Sequence, residues 1–215
     1  MTVALVLAAG RGERLGAVGP KAMVSLHGLP LVAHAVRNLL GAGCVRHVVV
    51  AAPPDHVAQV TAALVPFRPV GVVAGGEDRA DSVSRALQAA ITLIPTARFA
   101  LVHDVDRALT PSTLIRSVFD AVAAGNPAVV PVLPVTDTVK RVDAAGTILS
   151  TPDRTGLRSV QSPQGFDIDV LNRACRAGGV LEKIDVPVLT VPGDVAAMKI
   201  TTPFDLTVAE AVLAQ

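Results

Sequence analysis

Residues able to do chemistry gather first near the start of the chain, in Leu7-Ala8-Ala9-Gly10-Arg11-Gly12-Glu13-Arg14-Leu15, followed by Pro20-Lys21. Small residues after an apolar run let backbone N–H groups come close to a polyphosphate, and Arg14 and Lys21 can supply the positive charge that such a ligand needs. An ordinary glycine-rich turn with solvated charges has the same spacing, so the glycines alone leave both readings open. Two familiar phosphate motifs do not fit. In a G-x-G-x-x-G fingerprint the third glycine position would be Leu15, and no acidic residue ends the second strand about 20 residues on. A P-loop needs Lys directly after its last glycine, and Gly16 is followed by Ala17 and Val18.

The elements that must position this loop can be read from periodicity. Short β-branched runs at 3–7, 47–51, 70–74, 99–102 and 128–132 alternate with amphipathic stretches, the pattern of a parallel sheet with helices on both faces. Helices are predicted over 30–40, 55–64, 79–93, 111–124 and 203–213, with another around 167–176. Val32, Val36, Leu39 and Leu40 share one face of the first, and Gly41 and Gly43 stop it. Thr110-Pro111 and Thr202-Pro203 each set a capping hydroxyl before a Pro at the first helical position. The fold class is therefore α/β, a single Rossmann-like domain over 1–215 with a mostly parallel twisted sheet. One segment breaks the alternation. Residues 136–150 carry two extended runs around Asp143-Ala144-Ala145-Gly146 and read as a β-hairpin. A lone hairpin is marginal in water. An arm at about 136–155 that projects from the sheet should bury its apolar residues on a second copy of the chain, which predicts a homodimer.

Composition narrows the function classes. The chain has 215 residues, 51% of them hydrophobic and none of them Trp or Tyr; a domain of this size still buries roughly 70% of its unfolded surface. The net charge of +1 gives no global field to hold nucleic acid or an anionic membrane, so phosphate chemistry must use local clusters. Cys44 and Cys175 suggest neither a disulfide framework nor a zinc site. Residues 1–10 look superficially like a signal peptide but lack its basic region. No run approaches the ~20 apolar residues that span a bilayer. A soluble cytoplasmic protein is expected. His27, His34, His47 and His56 have no ligating spacing and read as surface or helix-face residues.

The opening loop resembles the L-A-A-G-x-G-x-R-L…P-K signature of nucleoside-triphosphate nucleotidyltransferases, and the resemblance extends along the chain. Gly75-Gly76-Glu77-Asp78-Arg79-Ala80-Asp81-Ser82-Val83, His103-Asp104 with Arg107, Asp137-Thr138-Val139-Lys140, Pro152-Asp153-Arg154, Gln161-Ser162-Pro163-Gln164-Gly165-Phe166 and Lys199-Ile200-Thr201-Thr202-Pro203 follow in order. Together they resemble the 2-C-methyl-D-erythritol 4-phosphate cytidylyltransferase family over nearly the whole chain. The resemblance implies a nucleotidyltransferase fold and transfer of CMP from CTP to that polyol phosphate, releasing pyrophosphate, in the non-mevalonate isoprenoid precursor pathway. It implies that Arg14 and Lys21 stabilise charge on the α-phosphate, that Ala8, Ala9 and Gly10 line the nucleotide site, and that Gly76, Glu77 and Ser82 recognise cytosine. Mg²⁺ would arrive with CTP and meet Asp104. The polyol phosphate site would be completed across the dimer, with Asp104, Arg107 and Lys199 from one subunit and Thr138 and Arg154 from the other. Arg154 and Lys199 would hold the attacking phosphate in line. His103 would position its strand end rather than move protons.

Two departures bear on activity. The family usually has His-Asp-Ala-Ala-Arg, whereas this chain reads His103-Asp104-Val105-Asp106-Arg107. A carboxylate near a bound phosphate is unfavourable, so Asp106 is expected to point away, pair with Arg107, or bind metal. Arg176-Ala177-Gly178-Gly179-Val180-Leu181-Glu182 also runs past the place of a Thr-Asp-Asp/Glu-Ala stretch in the family, which thins the acceptor site. A relative acting on another polyol phosphate, such as ribitol 5-phosphate, and a catalytically impaired homologue that only binds CTP are the alternatives.

Overall fold

The structure, a computed structural model, describes residues 1–10, 12, 15, 16 and 19–214. From the amino end the elements are β1 (Thr2–Leu7), the short pair β2 (Ser25–Leu26) and β3 (Leu29–Pro30), α1 (Leu31–Gly41), β4 (His47–Ala52), α2 (Val57–Leu64), β5 (Val70–Ala74), α3 (Arg79–Leu93) and β6 (Phe99–Asp104). Then follow α4 (Ser112–Ala123), β7 (Ala128–Pro134), β8 (Arg141–Val142), β9 (Ile148–Ser150), β10 (Arg158–Val160), β11 (Gln164–Asp167), α5 (Ile168–Arg176), β12 (Val188–Pro192) and α6 (Pro203–Leu213).

Successive residues of a strand face opposite sides, and β1 is apolar on both, which is what a strand covered by two helix layers requires. Ala4 and Val6, with Val48 and Val50 of β4, pack against Val32, Val36 and Leu39 of α1, Val60 of α2 and Ile115 of α4. Val3, Leu5, Val49 and Ala51 face the other way, toward Val83, Leu87 and Ala90 of α3 and Leu171 of α5. Burial of each Val or Leu is worth about 1.5–3 kcal/mol, so aliphatic side chains alone build these two layers. The sheet has eight strands in the order β10-β7-β11-β6-β1-β4-β5, with β12 beside β7. β1 pairs in parallel with β4 and β6, β4 with β5, and β12 with β7. β10 and β11 run antiparallel to their neighbours. The α/β class and the mostly parallel sheet are as predicted.

A third apolar cluster of Leu26, Leu31, Ala108, Leu109, Ile200 and Ala209 seats α6. That helix starts as the sequence implied. The Thr202 side chain accepts the Asp205 N–H while the Asp205 carboxylate accepts the Thr202 N–H, a capping box. Hydrogen bonds from Thr201 and Thr202 draw the Asp205 carboxyl down to about 2. α4 departs from expectation. Its first helical residue is Ser112, Pro111 is the extended N-cap, and no side chain caps it. Thr110 gives its hydroxyl proton to the Arg107 carbonyl at 2.8 Å instead. His34, read as a surface or helix-face residue, lies buried with Nε2 2.8 Å from the Leu26 carbonyl.

The predicted hairpin forms as a separate two-stranded sheet of β8 and β9. Asp143 closes it by accepting the Ala145 and Thr147 N–H groups, each at 2.9 Å, and Gly146 adopts φ +84°. Every residue of both strands is exposed, Val142, Ile148 and Leu149 among them. After α5 the chain reverses through Gly178 at φ +79°, with the Gly179 N–H on the Ala174 carbonyl at 3.2 Å, and re-enters the core at Val180. Among the described residues, no helix is long and apolar enough to cross a membrane.

Candidate active site

Parallel strands leave a crevice beyond their carboxyl ends where connecting loops diverge. Here the ends of β1, β5 and β6 open onto a cavity of about 300 Å³ lined by Leu7, Ala9, Gly10, Lys21, Gly76–Asp78, Arg79, Ser82, Asp104–Asp106 and Lys199. Backbone contacts tie Gly10 and Gly12 to Lys21. The Lys21 N–H donates to the Gly10 carbonyl at 3.2 Å, and Gly12, at φ +74°, packs so closely that an added Cβ would stand 3.1 Å from Lys21.

A second tight turn follows β5. Gly75 donates to the Ala52 carbonyl at 2.7 Å and lies so near the opening loop that a Cβ would come within 2.7 Å of Ala9. At Gly76 a side chain would overlap the Asp81 carboxylate. Ser82, in the first turn of α3 and 3% exposed, accepts the Gly76 N–H at 3.0 Å, which leaves its own hydroxyl proton free to donate. Asp81 accepts the Glu77 N–H and pairs with Arg85, whose guanidinium holds that carboxyl below its usual range. Arg85 also donates to the Gly75 carbonyl at 3.2 Å.

Asp104 ends β6 with its backbone N–H on Ser162 Oγ at 3.0 Å, and that oxygen lies 3.2 Å from His103 Nδ1. Complete burial lowers the His103 imidazole to about 4, so the ring is neutral near pH 7. This is a ring that orders a strand end, not one poised to exchange protons. The Asp104 carboxylate meets Arg79 at 3.3 Å. Arg79 lines the cavity from the first position of α3. Sequence reasoning gave it no role, although it stands inside the quoted Gly75–Val83 motif.

Lys21 and Lys199, from opposite ends of the chain, converge on one side chain. Asp106 Oδ2 is 2.8 Å from Lys21 Nζ and 3.8 Å from Lys199 Nζ. This corrects two of the expectations for Asp106. It neither points away nor pairs with Arg107, and its partners are ammonium groups. The Arg107 guanidinium is spent elsewhere, donating to the Ala197 carbonyl at 2.6 Å and the Val160 carbonyl at 3.0 Å, and burial lowers its pKa. It does not reach the cavity wall, because those carbonyls draw it between β10 and the 195–197 turn. Ala8 is also displaced from its expected place. Strand alternation turns it into the core with α1, so Ala9 and Gly10 reach the cavity without it. Gly76, Glu77, Ser82, Asp104, Lys21 and Lys199 all lie on the wall. Thr138 and Arg154 sit exposed on and beside the arm, away from this cavity, with Arg154 donating to the Thr136 carbonyl. Arg14 lies outside the described residues.

Among the described residues no three His, Cys, Asp or Glu side chains are placed to hold a metal ion by themselves. Asp104 offers a single carboxylate at the cavity. That suits Mg²⁺, which binds through one or two carboxylates together with substrate phosphates.

An open parallel sheet whose strand ends carry a glycine loop, a second tight turn and converging ammonium groups is the layout of a nucleotide-transferring α/β enzyme. The comparisons sharpen that class. Residues 2–215 match the model of the 2-C-methyl-D-erythritol 4-phosphate cytidylyltransferase family, and the chain belongs to this family. It is 55% identical to the enzyme of that name from Saccharopolyspora erythraea, with 99% of each chain covered. It is 50% identical to the one from Nocardia farcinica, covering 98% of this chain and 93% of the relative. Among solved structures, the cytidylyltransferase from Thermus thermophilus superposes with a TM-score of 0.77 at 30% identity, over the full length of both chains.

Proposed function

We propose that the chain transfers CMP from CTP to 2-C-methyl-D-erythritol 4-phosphate, releasing pyrophosphate in the isoprenoid precursor pathway, and that it does so in the cytoplasm, where CTP is made. The observation that carries the reading is the convergence of Lys21, Lys199, Arg79 and Asp104 on one cavity with the Gly76–Ser82 turn. An oxygen of the acceptor's phosphate attacks the α-phosphorus of CTP, a new P–O bond forms, and the bond to the β-phosphate breaks so that pyrophosphate leaves with the electron pair. The nucleophile is already anionic, so the protein's work is alignment and charge neutralisation rather than proton abstraction.

In this reading Ala9 and Gly10 border the nucleotide, and Lys21, joined by Arg14 through its place in the motif, stabilises charge growing on the α-phosphate. The backbone of Gly76 and Glu77 and the Ser82 hydroxyl read the cytosine edge, a recognition that needs few groups because a pyrimidine presents few. Lys199 draws in the acceptor phosphate. Mg²⁺ bound with CTP would be held on the protein side by Asp104, and it supplies positive charge between phosphate oxygens.

The acceptor site is completed by a second copy of the chain. Thr138 and Arg154 do not line their own cavity, and the arm that carries them exposes Val142, Ile148 and Leu149, which supports a homodimer with each arm serving the other subunit. A pyrophosphate-release assay with CTP, Mg²⁺ and a panel of polyol phosphates tests the proposal. Turnover greatest with 2-C-methyl-D-erythritol 4-phosphate is expected. Preference for ribitol 5-phosphate would move the acceptor, and CTP binding without turnover on any acceptor would make the chain an impaired homologue.

A further inference from the structure

We propose that Asp106 is a built-in competitor for the phosphate subsite. Its carboxylate holds Lys21 and Lys199 while no substrate anion is present, yields them to phosphate oxygens on binding, and takes them back as the cytidylyl product leaves. The inference rests on reading this cavity as the CTP and polyol phosphate site.

Three observations carry it. First, both ammonium groups approach the same oxygen, Oδ2, at 2.8 and 3.8 Å. The lysines meant to greet two anions already face one. Second, Asp106 is 8% exposed, and its other oxygen, Oδ1, is buried without a hydrogen-bond partner. A carboxylate so poorly solvated depends on the lysines for compensation and therefore competes hard for them. Third, the Asp106 carbonyl accepts the Ile200 N–H at 2.7 Å. The Asp106 backbone is thereby fixed to the fold and its side chain is as buried as that of Lys21, each 11% exposed, whereas the Lys199 side chain is 46% exposed. Exchange therefore begins with movement of the Lys199 ammonium.

Charge gives the device a purpose. The described residues on the cavity wall include the cations Lys21, Arg79 and Lys199 against the carboxylates Glu77, Asp78, Asp104 and Asp106. Only a ligand with dense negative charge outbids a fixed carboxylate for the lysine pair. A triphosphate does so, and a lone phosphate does so poorly. Asp106 thus sets how strongly the site rejects small phosphate anions and how readily it lets its product go.

The test uses Asp106→Asn, which keeps the size and removes the charge, and Asp106→Ala. Binding of inorganic phosphate and of pyrophosphate to the free enzyme is measured by titration calorimetry, alongside the KM for CTP. Both variants should bind the two anions at least about fivefold more tightly than the parent, with the larger gain for inorganic phosphate, and the KM should fall. Adding Lys21→Ala to Asp106→Asn should cancel the gain. Unchanged or weaker anion binding in the charge-free variants would overturn the proposal and leave Asp106 as a spacer. A gain in the alanine variant that is absent from the asparagine variant would also overturn it, because space rather than charge would then be at work. Should the alanine variant fail to fold, the asparagine variant carries the test. Loss of the underlying reading looks different: the parent itself would neither bind CTP nor release pyrophosphate.

Discussion

Asp104 and Ile148 live under opposite rules. Asp104 closes a strand flanked by two others, with its backbone on Ser162 Oγ and its carboxylate against Arg79. Ile148 belongs to a two-stranded ribbon with no neighbouring sheet, and its apolar side chain is exposed. The first region is braced within one chain, since its strand ends are held between two helix layers and the Asp104 backbone and carboxylate both have partners. The second buries nothing of its own. Two such strands do not hold in water without a surface to lie on. The contrast teaches that the cavity at the strand ends is built within one fold, whereas the arm exposes apolar side chains that a second copy would cover under the proposed dimer.

The sharpest way to break this comparison is Lys21→Ala. Turnover should fall at least about tenfold while the far-ultraviolet spectrum and the cooperative melt persist. Near-normal turnover would remove Lys21 from the reaction. A smaller effect is expected from mixing subunits. Arg154→Ala and Lys199→Ala preparations, each impaired alone, should recover activity when combined, because one site of a mixed dimer takes both lost groups from intact subunits. Recovery that never exceeds either parent would place the arm residues outside a shared site.

The smallest expected effect is on stability and belongs to the braced region alone. The unfolded chain protonates His103 near 6.5, while the folded chain resists until about 4. Stability from this group is thus complete above about pH 6.5 and is lost as pH falls toward 4. Denaturant melts should show a decline over that interval, and His103→Gln should flatten it. An unchanged slope in that variant would assign the decline to other groups.

The strands that could be read from sequence were those buried on both faces, where Val, Ala and Leu run without interruption, as in β1 and β4. β11 escaped for a physical reason. It is four residues long, and Gly165 at its centre is required because any side chain would run into Val118 and Val122, so buried Phe166 is left as its single apolar side chain, too little for a strand pattern. β12 escaped because, on the sheet edge, its residues are mostly exposed. Thr110 before Pro111 mimicked a helix cap, but its hydroxyl is used within the preceding turn. In the site, Lys21 and Lys199 were legible through their motifs. Their meeting on Asp106 was not, since it joins positions 85 residues apart through tertiary packing that no local pattern encodes. Arg107 looked like a ligand for the same reason: only the folded chain brings the Ala197 and Val160 carbonyls to it.

The capping box at Thr202 and Asp205 begins three residues beyond Lys199, and the chain between them is stitched to Asp106 by the Ile200 amide. Warming that frays the carboxy-terminal helix therefore loosens one of the two ammonium groups that meet Asp106 while the central strands stay intact. Heat inactivation of this enzyme should run ahead of its loss of secondary structure.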